Sequence, residues 1–597
     1  MSGTFSWYSG PCNSNQKPKL KCVIFRASIS ARNKRRRWPR FCSRTSPITK
    51  ARLARSSSIH ELLPLAQSTD LATNEQLGPV RTAALFALFA ALLVASHAPL
   101  LRLPYFWDEA GYYIPAARDL LSGSLIPYST PSNAHPPLVL GWLALNWKIF
   151  GCRPIVTRCA MLLLAAFALL GFFRLARSGA NTTVAAASTL LTAIYPVFFA
   201  QSSLAQVDLP AAGLIFWGLD SYMRRLRRPA IVWFALAALA KETAILVPLA
   251  LFAWELLGPR FPRMRSFGVA KTSTRSALLL LIPAIPLALW YGYHYARTGF
   301  VFGNPEFFRY NVQGTMRPLR IFLALLLRTW QTFGYLNLYL LTLACILAMR
   351  NPPLEDEAGP RKRIDVSVQV SFLAVTVVYL LALSVLGGAV LARYMLPVVP
   401  LVILVCVSTV WRRLRLWKLI IAIVTLAFVA GLFINPPYGF SPEDNLAYCD
   451  YIRLHQQAET FLEQKYSKAR VLTAWPASDE LTHPYLGYVE KPFQVVRTED
   501  FTAEQLLSAA DARAQFDVAL AFSTKYQPLH SLFDRWRLWQ RWKSEYFGYH
   551  RDLTPAAAAS VLGGNLVYVK YYHGQWVAII EVVKIEEARL SSHTASR

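Results

Sequence analysis

Residues 81–113 read RTAALFALFAALLVASHAPLL, then RLPYFWDEAGYY. The first part carries no acid and, after Arg81, no lysine or arginine over about 20 residues, the length a helix needs to cross a bilayer. The second part delivers Asp108 and Glu109 among aromatic rings, directly after that run. A membrane-spanning helix that hands an acidic, aromatic loop to the membrane surface is the pattern from which the fold is read.

The pattern repeats along the chain. Apolar segments of spanning length lie near 156–176, 181–200, 209–223, 277–296, 333–349, 366–386, 392–410 and 417–434. A longer apolar run, 230–257, is broken by Lys241-Glu242, and a shorter one, 136–150, starts at Pro136-Pro137. The chain has 597 residues, 54% hydrophobic and 16% charged, against roughly 25% charged in a soluble protein. A string of soluble domains is thereby excluded. The 17 tryptophans and 27 tyrosines suit interfacial belts. The fold class expected is a polytopic α-helical membrane protein.

Basic connections set the topology. Segments 174–177, 224–228, 260–275, 350–363 and 412–418 are rich in Lys and Arg and are expected on the cytoplasmic side. One arrangement satisfies all of them: about eleven spans, the N-terminus inside and the C-terminus outside, with 136–150 too short to span and 230–257 a pair of short helices turning outward at Lys241-Glu242. Parity then places the 102–135 loop, Asp208, Lys241-Glu242, the 297–332 loop and the 392–394 turn together on the outer face. Charges this near hydrocarbon are costly, and their convergence points to function.

The net charge of +29 is uneven. No acid precedes Glu61, while fourteen Lys and Arg do, from Lys17 to Arg55. The basic excess lies in this tail and in short loops, so nucleic acid is not an expected partner. Residues 1–78 are expected to be a disordered basic tail. It reads as an arm on anionic lipid, an organelle transit peptide or an over-extended start, and not as a secretory signal. Eight cysteines show no CxxC or Cys/His metal spacing.

Three regions follow: the tail, a transmembrane domain over 79–435 and an outer domain over 436–597. The last opens at Asn435-Pro436-Pro437, where charges become common. Residues 446–466 read as an amphipathic helix. Short strands are expected near 471–474, 493–496 and 518–521, with a hairpin of 566–572 and 576–583 turning at His573-Gly574. This predicts an α/β domain with no nucleotide fingerprint. Binding or positioning of an acceptor suits it better than catalysis.

Six residues carry the candidate chemistry. Asp108 is placed to act as a general base, which desolvation at the membrane surface would strengthen. It is equally placed to cap the next helix, with Glu109 complementing the helix dipole. His135, before Pro136-Pro137, reads as a phosphate or metal contact or as a cap. Asp208 orients a catalytic group or cation, or is a plain cap before Pro210. Lys241 faces an anionic headgroup or bridges to Glu242. Arg393 grips a phosphate through its fork or snorkels to the interface. No GxSxG elbow, Walker loop or HExxH helix is present, which disfavours serine hydrolysis, ATP hydrolysis and zinc proteolysis.

The motifs WDEAGYY (107–113), HPPL (135–138), an acid at 208, ALAKETAILVP (238–248) and ARYMLPVVPL (392–401), in this order, resemble the type C glycosyltransferases. The resemblance covers roughly 80–410 and leans toward protein O-mannosyltransferases and lipid A aminoarabinose transferases. It implies a polyprenyl-phosphate sugar donor, an outer-face acceptor and inversion at the sugar carbon. It implies that Asp108 is the base, Glu109 its partner and Asp208 the second acid, with Lys241, Arg393 and His135 near the donor phosphate. It leaves open a divalent cation, which some members use. The C-terminal region does not resemble the β-trefoil domain of protein O-mannosyltransferases, so the acceptor stays open among lipid, glycan and protein. Two rival readings remain: a transporter or lipid-carrier flippase, and a catalytically silent relative that binds lipid carriers.

Overall fold

The computed structural model describes residues 78–258, 274–357, 359–528, 533 and 535–582. The basic tail, Gly78 apart, and most of the 260–275 basic connection lie outside these residues. The described residues belong to one compact unit.

Among the described residues, five helices are long and apolar enough to cross a membrane: Pro79–Leu100, Pro154–Gly179, Thr274–Thr298, Pro318–Ala348 and Val366–Val385. A sixth candidate is the pair Thr182–Ile194 and Pro196–Ser203, bent by 66°. The bend has a local cause. Pro196 forces its predecessor Tyr195 into an extended conformation (ψ 125°), which no α-helix accommodates. The apolar helices Leu138–Phe150 and Trp417–Phe433 are shorter.

Burial sorts these helices. Only 17% of the most apolar stretch of Pro79–Leu100 is buried, against 72% for Pro154–Gly179. The first is therefore peripheral. The second is central and packs on Pro79–His97, Thr182–Ile194 and Asp208–Met223. Small residues permit this approach: Gly213 lies against Ala168, and Gly171 against the Trp217 ring. On the perimeter, Leu92, Leu289, Ile346 and Leu426 are each more than half exposed. Side chains of this size, scattered over an apolar belt, are suited to lipid and not to water.

The 230–257 run breaks where its charges stand. Arg227–Ala240 ends, Lys241 is extended (φ −151°, ψ 132°), and a 3-10 turn, Glu242–Ile245, leads into Leu246–Leu257. Another expectation needs correction. Residues 318–332, read as the end of a loop, form the helix Pro318–Phe333, which continues through a kink to Ala348. Arg320 and Arg328 disguised it as loop. Both are buried and donate to backbone carbonyls, Arg320 to that of Gly387 (2.6 Å) and Arg328 to that of Leu391 (2.6 Å).

The C-terminal region holds a five-stranded mixed sheet. Its strands are β1 (Arg470–Ala474), β2 (Gln494–Thr498), β3 (Val518–Phe522), β4 (Gly564–Tyr572) and β5 (Gln575–Val582), in the order β2-β1-β3-β5-β4. β1 runs parallel to β2 and β3; β5 runs antiparallel to β3 and β4. All five side chains of β3, VALAF, are buried, as a central strand requires. The β4–β5 hairpin turns at His573-Gly574, both at positive φ (46° and 80°), the geometry that matches strand twist. Helix Ala447–Lys465 packs on β4 and β5.

Candidate active site

Four residues from separate segments converge. Asp108 ends the first loop, Asp208 is the first residue of helix Asp208–Met223, Lys241 is the extended residue between two helices, and Arg393 lies in a 3-10 turn, Ala392–Met395. Arg393 is the hub. One terminal nitrogen donates to Asp108 Oδ2 (2.5 Å) and the other to Glu443 Oε2, while Nε lies 3.2 Å from Asp208 Oδ2. Lys241 Nζ donates to Asp208 Oδ1 and rests 3.9 Å from the centre of the Tyr394 ring. Two cations thus hold three carboxylates.

The capping alternatives do not hold. The Asp108 side chain makes no cap bond, and the cap position before Asp208–Met223 belongs to Val207. Nor do Lys241 and Glu242 bridge each other: Lys241 pairs with Asp208, and Glu242 Oε2 accepts from His135 Nδ1 at 2.8 Å. His135 also stacks on Tyr113 (6.1 Å between centroids, 23°). Access then separates the carboxylates. Asp108 keeps 22% of its side chain exposed, against 2% for Asp208 and 4% for Glu443. Of the three, Asp108 is the one a substrate can touch.

Glu109 is not part of this cluster. Its fully buried carboxylate takes a two-pronged bond from Arg158, with Nη2 2.9 Å from Oε2. It also accepts from the backbone nitrogens of Phe106 (2.8 Å) and Ala205 (2.5 Å). Arg158 further donates to the carbonyls of Ser203 (2.9 Å) and Pro104 (2.8 Å). Glu109 is a strut. It ties the acidic loop to the central helix and to the segment before Asp208, so that Asp108 and Asp208 are presented together.

The loop is fixed from the other side by the C-terminal region. Trp107 packs edge-on against Tyr451 and Trp475 (both 5.5 Å), and Tyr488 donates to the Tyr105 carbonyl (2.9 Å). Gly111 lies hard against Trp475, so any Cβ there would meet the indole. Trp107 and Ala134, the residues immediately before Asp108 and His135, both hold positive φ (46° and 56°), a costly backbone for non-glycine residues that surrounding contacts must enforce.

Glu443, Asp444, Arg158 and Tyr394 complete the cluster or its supports. Sequence reading did not single out Glu443, Asp444 or Arg158. Arg158 left a signal, a charge inside an apolar segment; the Glu443-Asp444 pair just past the last apolar helix left a weaker one. Gln206 Nε2 donates to Glu443 Oε2 (2.9 Å), and Tyr335 donates to Asp444 Oδ2 (2.7 Å). Burial pushes the Glu443 carboxyl above its ordinary range against the pull of Arg393. Burial, with the Glu443 charge adjacent, pushes Asp444 up to about 7.

Residues 134–290 match the family described as dolichyl-phosphate-mannose-protein mannosyltransferase. No curated protein sequence matches the chain. Among solved structures, apo ArnT from Cupriavidus metallidurans is 14% identical, with 83% of this chain and 98% of that chain covered and a TM-score of 0.50. The same protein bound to undecaprenyl phosphate gives 14% identity over 84% of this chain and 98% of that chain, TM-score 0.47. An Archaeoglobus fulgidus oligosaccharyltransferase tethered with an acceptor peptide gives 11% over 74% and 69%, TM-score 0.40. The chain shares its fold with ArnT from Cupriavidus metallidurans, and its stretch from the HPPL motif into the helix at 284–298 matches the mannosyltransferase family model.

Proposed function

We propose that this protein transfers a sugar from a polyprenyl-phosphate donor to an acceptor at the outer face of the membrane, with inversion at the sugar carbon. The observation that carries this reading is the cluster of Asp108, Asp208, Lys241 and Arg393: one accessible carboxylate beside two buried cations, at the end of an apolar helix. The description of the family matched over 134–290 names a polyprenyl-phosphate sugar of this kind.

In this reading the donor phosphate takes donors of Arg393 and Lys241 now committed to carboxylates. Asp108 is released by that exchange. It accepts the proton of the acceptor's hydroxyl or amine as that group attacks the anomeric carbon, worth about 10²–10⁴-fold. The bond from the anomeric carbon to the phosphate oxygen breaks, and polyprenyl phosphate leaves as an anion stabilised by the two cations. A phosphate leaving group makes a general acid unnecessary. Asp208 holds both cations in place, His135 and Glu242 flank the donor side, and Glu109 positions the loop.

Arg393 pairs with Asp108 Oδ2 and Lys241 with Asp208 Oδ1. We assign the electrostatic work of the reaction to these two cations. The helices Asp208–Met223, Arg227–Ala240, Leu246–Leu257, Val399–Arg413 and Trp417–Phe433 bring the six candidates to about eleven spans, with the N-terminus cytoplasmic and residues 436–597 an outer domain that positions a lipid, glycan or protein acceptor. The test is binding of a polyprenyl phosphate to the purified protein in lipid. Asp108→Asn retains binding while Arg393→Lys weakens it; equal binding by all three would remove Arg393 from the phosphate site.

A further inference from the structure

A second cluster of titratable groups lies in the C-terminal region, apart from the proposed reaction. His455 and Glu459 stand one turn apart on helix Ala447–Lys465, and Glu480 faces them from the short helix Ala477–Thr482. One potential ligand atom from each lies within 4.8 Å of the others. His455 Nδ1 is 2.6 Å from Glu480 Oε2 and 3.8 Å from Glu459 Oε1. All three side chains are at most 1% exposed.

Neither carboxylate oxygen of Glu459 meets a hydrogen-bond donor, and His455 Nε2 has none either. Tyr451 donates to Glu480 Oε1 (3.3 Å) and stacks on the imidazole (3.8 Å), while Phe522 meets it edge-on (4.7 Å). Two carboxylates in an aromatic shell, one of them without a donor, cannot both be charged and uncompensated. They share a proton, pair with a charged imidazole, or share a metal cation. A proton shared between the carboxylates leaves the Glu459–imidazole approach with no role, and a charged imidazole brings one positive charge against two carboxylates. A cation uses all three groups.

We propose that His455, Glu459 and Glu480 bind one divalent transition-metal ion, zinc by donor type. One imidazole and two carboxylates at i, i+4 plus a facing helix make a three-ligand set for this ion, with Zn–N and Zn–O distances of about 2.0–2.2 Å. Drawing the three atoms onto one centre closes the 3.8 Å gap to Glu459 and opens the 2.6 Å contact between His455 and Glu480. The ion clamps helix Ala447–Lys465 to Ala477–Thr482. Tyr451, which stacks on His455, also packs on Trp107, the neighbour of Asp108. The site is therefore structural, one aromatic ring away from the acidic loop.

The test is metal content of the full-length, tag-free protein in lipid, after exposure to zinc chloride and removal of loosely bound metal. The expected result is one zinc per chain, retained in Asp108→Asn and Asp208→Asn and lost in Glu459→Gln. Melting should fall when a strong chelator strips the ion and recover when zinc is returned, a readout that needs no variant. Less than a tenth of an equivalent of zinc in the wild type would overturn the proposal. So would zinc held equally by Glu459→Gln, or a melting temperature that rises in Glu459→Gln and ignores the chelator, the signature of a proton-sharing carboxyl pair.

Discussion

Arg393 Nη2 and Asp108 Oδ2 meet at 2.5 Å across 285 residues of sequence. The same guanidinium reaches Glu443 and Asp208, so the candidate base is held by the group assigned to the donor phosphate. The resting cluster pairs its two cations with three carboxylates, and in the proposed cycle the donor activates Asp108 by taking its partner.

Arg393 cannot be replaced by a point charge. Lysine presents no planar fork and can satisfy only part of a three-carboxylate shell. Arg393→Lys is expected to lower donor affinity by about tenfold or more, about 1.4 kcal/mol. Titration with polyprenyl phosphate reads it directly.

The Glu109–Arg158 pair is a stability element. Removing one member of a buried pair leaves the other charge uncompensated, at a cost of about 3–5 kcal/mol. Glu109→Gln should therefore lower the melting temperature far more than Asp108→Asn, whose side chain is partly exposed. Equal losses would return Glu109 to the reacting cluster.

Asp444 gives a pH dependence with a defined sign. Its folded pKa is raised to about 7, above an unfolded value of about 3.9. The folded state therefore binds the proton more tightly. This contribution to stability is complete below about pH 4 and is lost as pH rises through about 7. Asp444→Asn should remove that component, so the wild-type-minus-variant stability difference should decline between pH 4 and 7.

The contact between Gly111 and Trp475 joins the acidic loop to the C-terminal region. Gly111→Ala should lower turnover by displacing the indole, and Trp475→Ala in the same chain should restore part of it. A double-mutant cycle measures the coupling, expected in the range of about 0.5–3 kcal/mol for touching residues.

Much of this site was legible because charge beside hydrocarbon is expensive. Asp108, Asp208, Lys241 and Arg393 each interrupt or terminate an apolar run, and each lies in the cluster. Partnership was not legible. Glu109 looked like a twin of Asp108, yet one residue of helical rotation turns it toward Arg158 instead. Glu443 was missed because it follows a Pro-rich turn among ordinary loop residues. In the C-terminal region, alternation and the His573-Gly574 turn located the strands to within a few residues. Helix Pro318–Phe333 was hidden by two arginines whose carbonyl partners lie about 60 residues further on.

The most direct test is release of polyprenyl phosphate from a labelled polyprenyl-phosphate sugar by the purified protein in lipid, with acceptor-bearing membrane extract, wild type beside Asp108→Asn. The account predicts release by the wild type and a loss of at least about 10²-fold in the variant, with donor binding kept. Release at the wild-type rate by Asp108→Asn would contradict it.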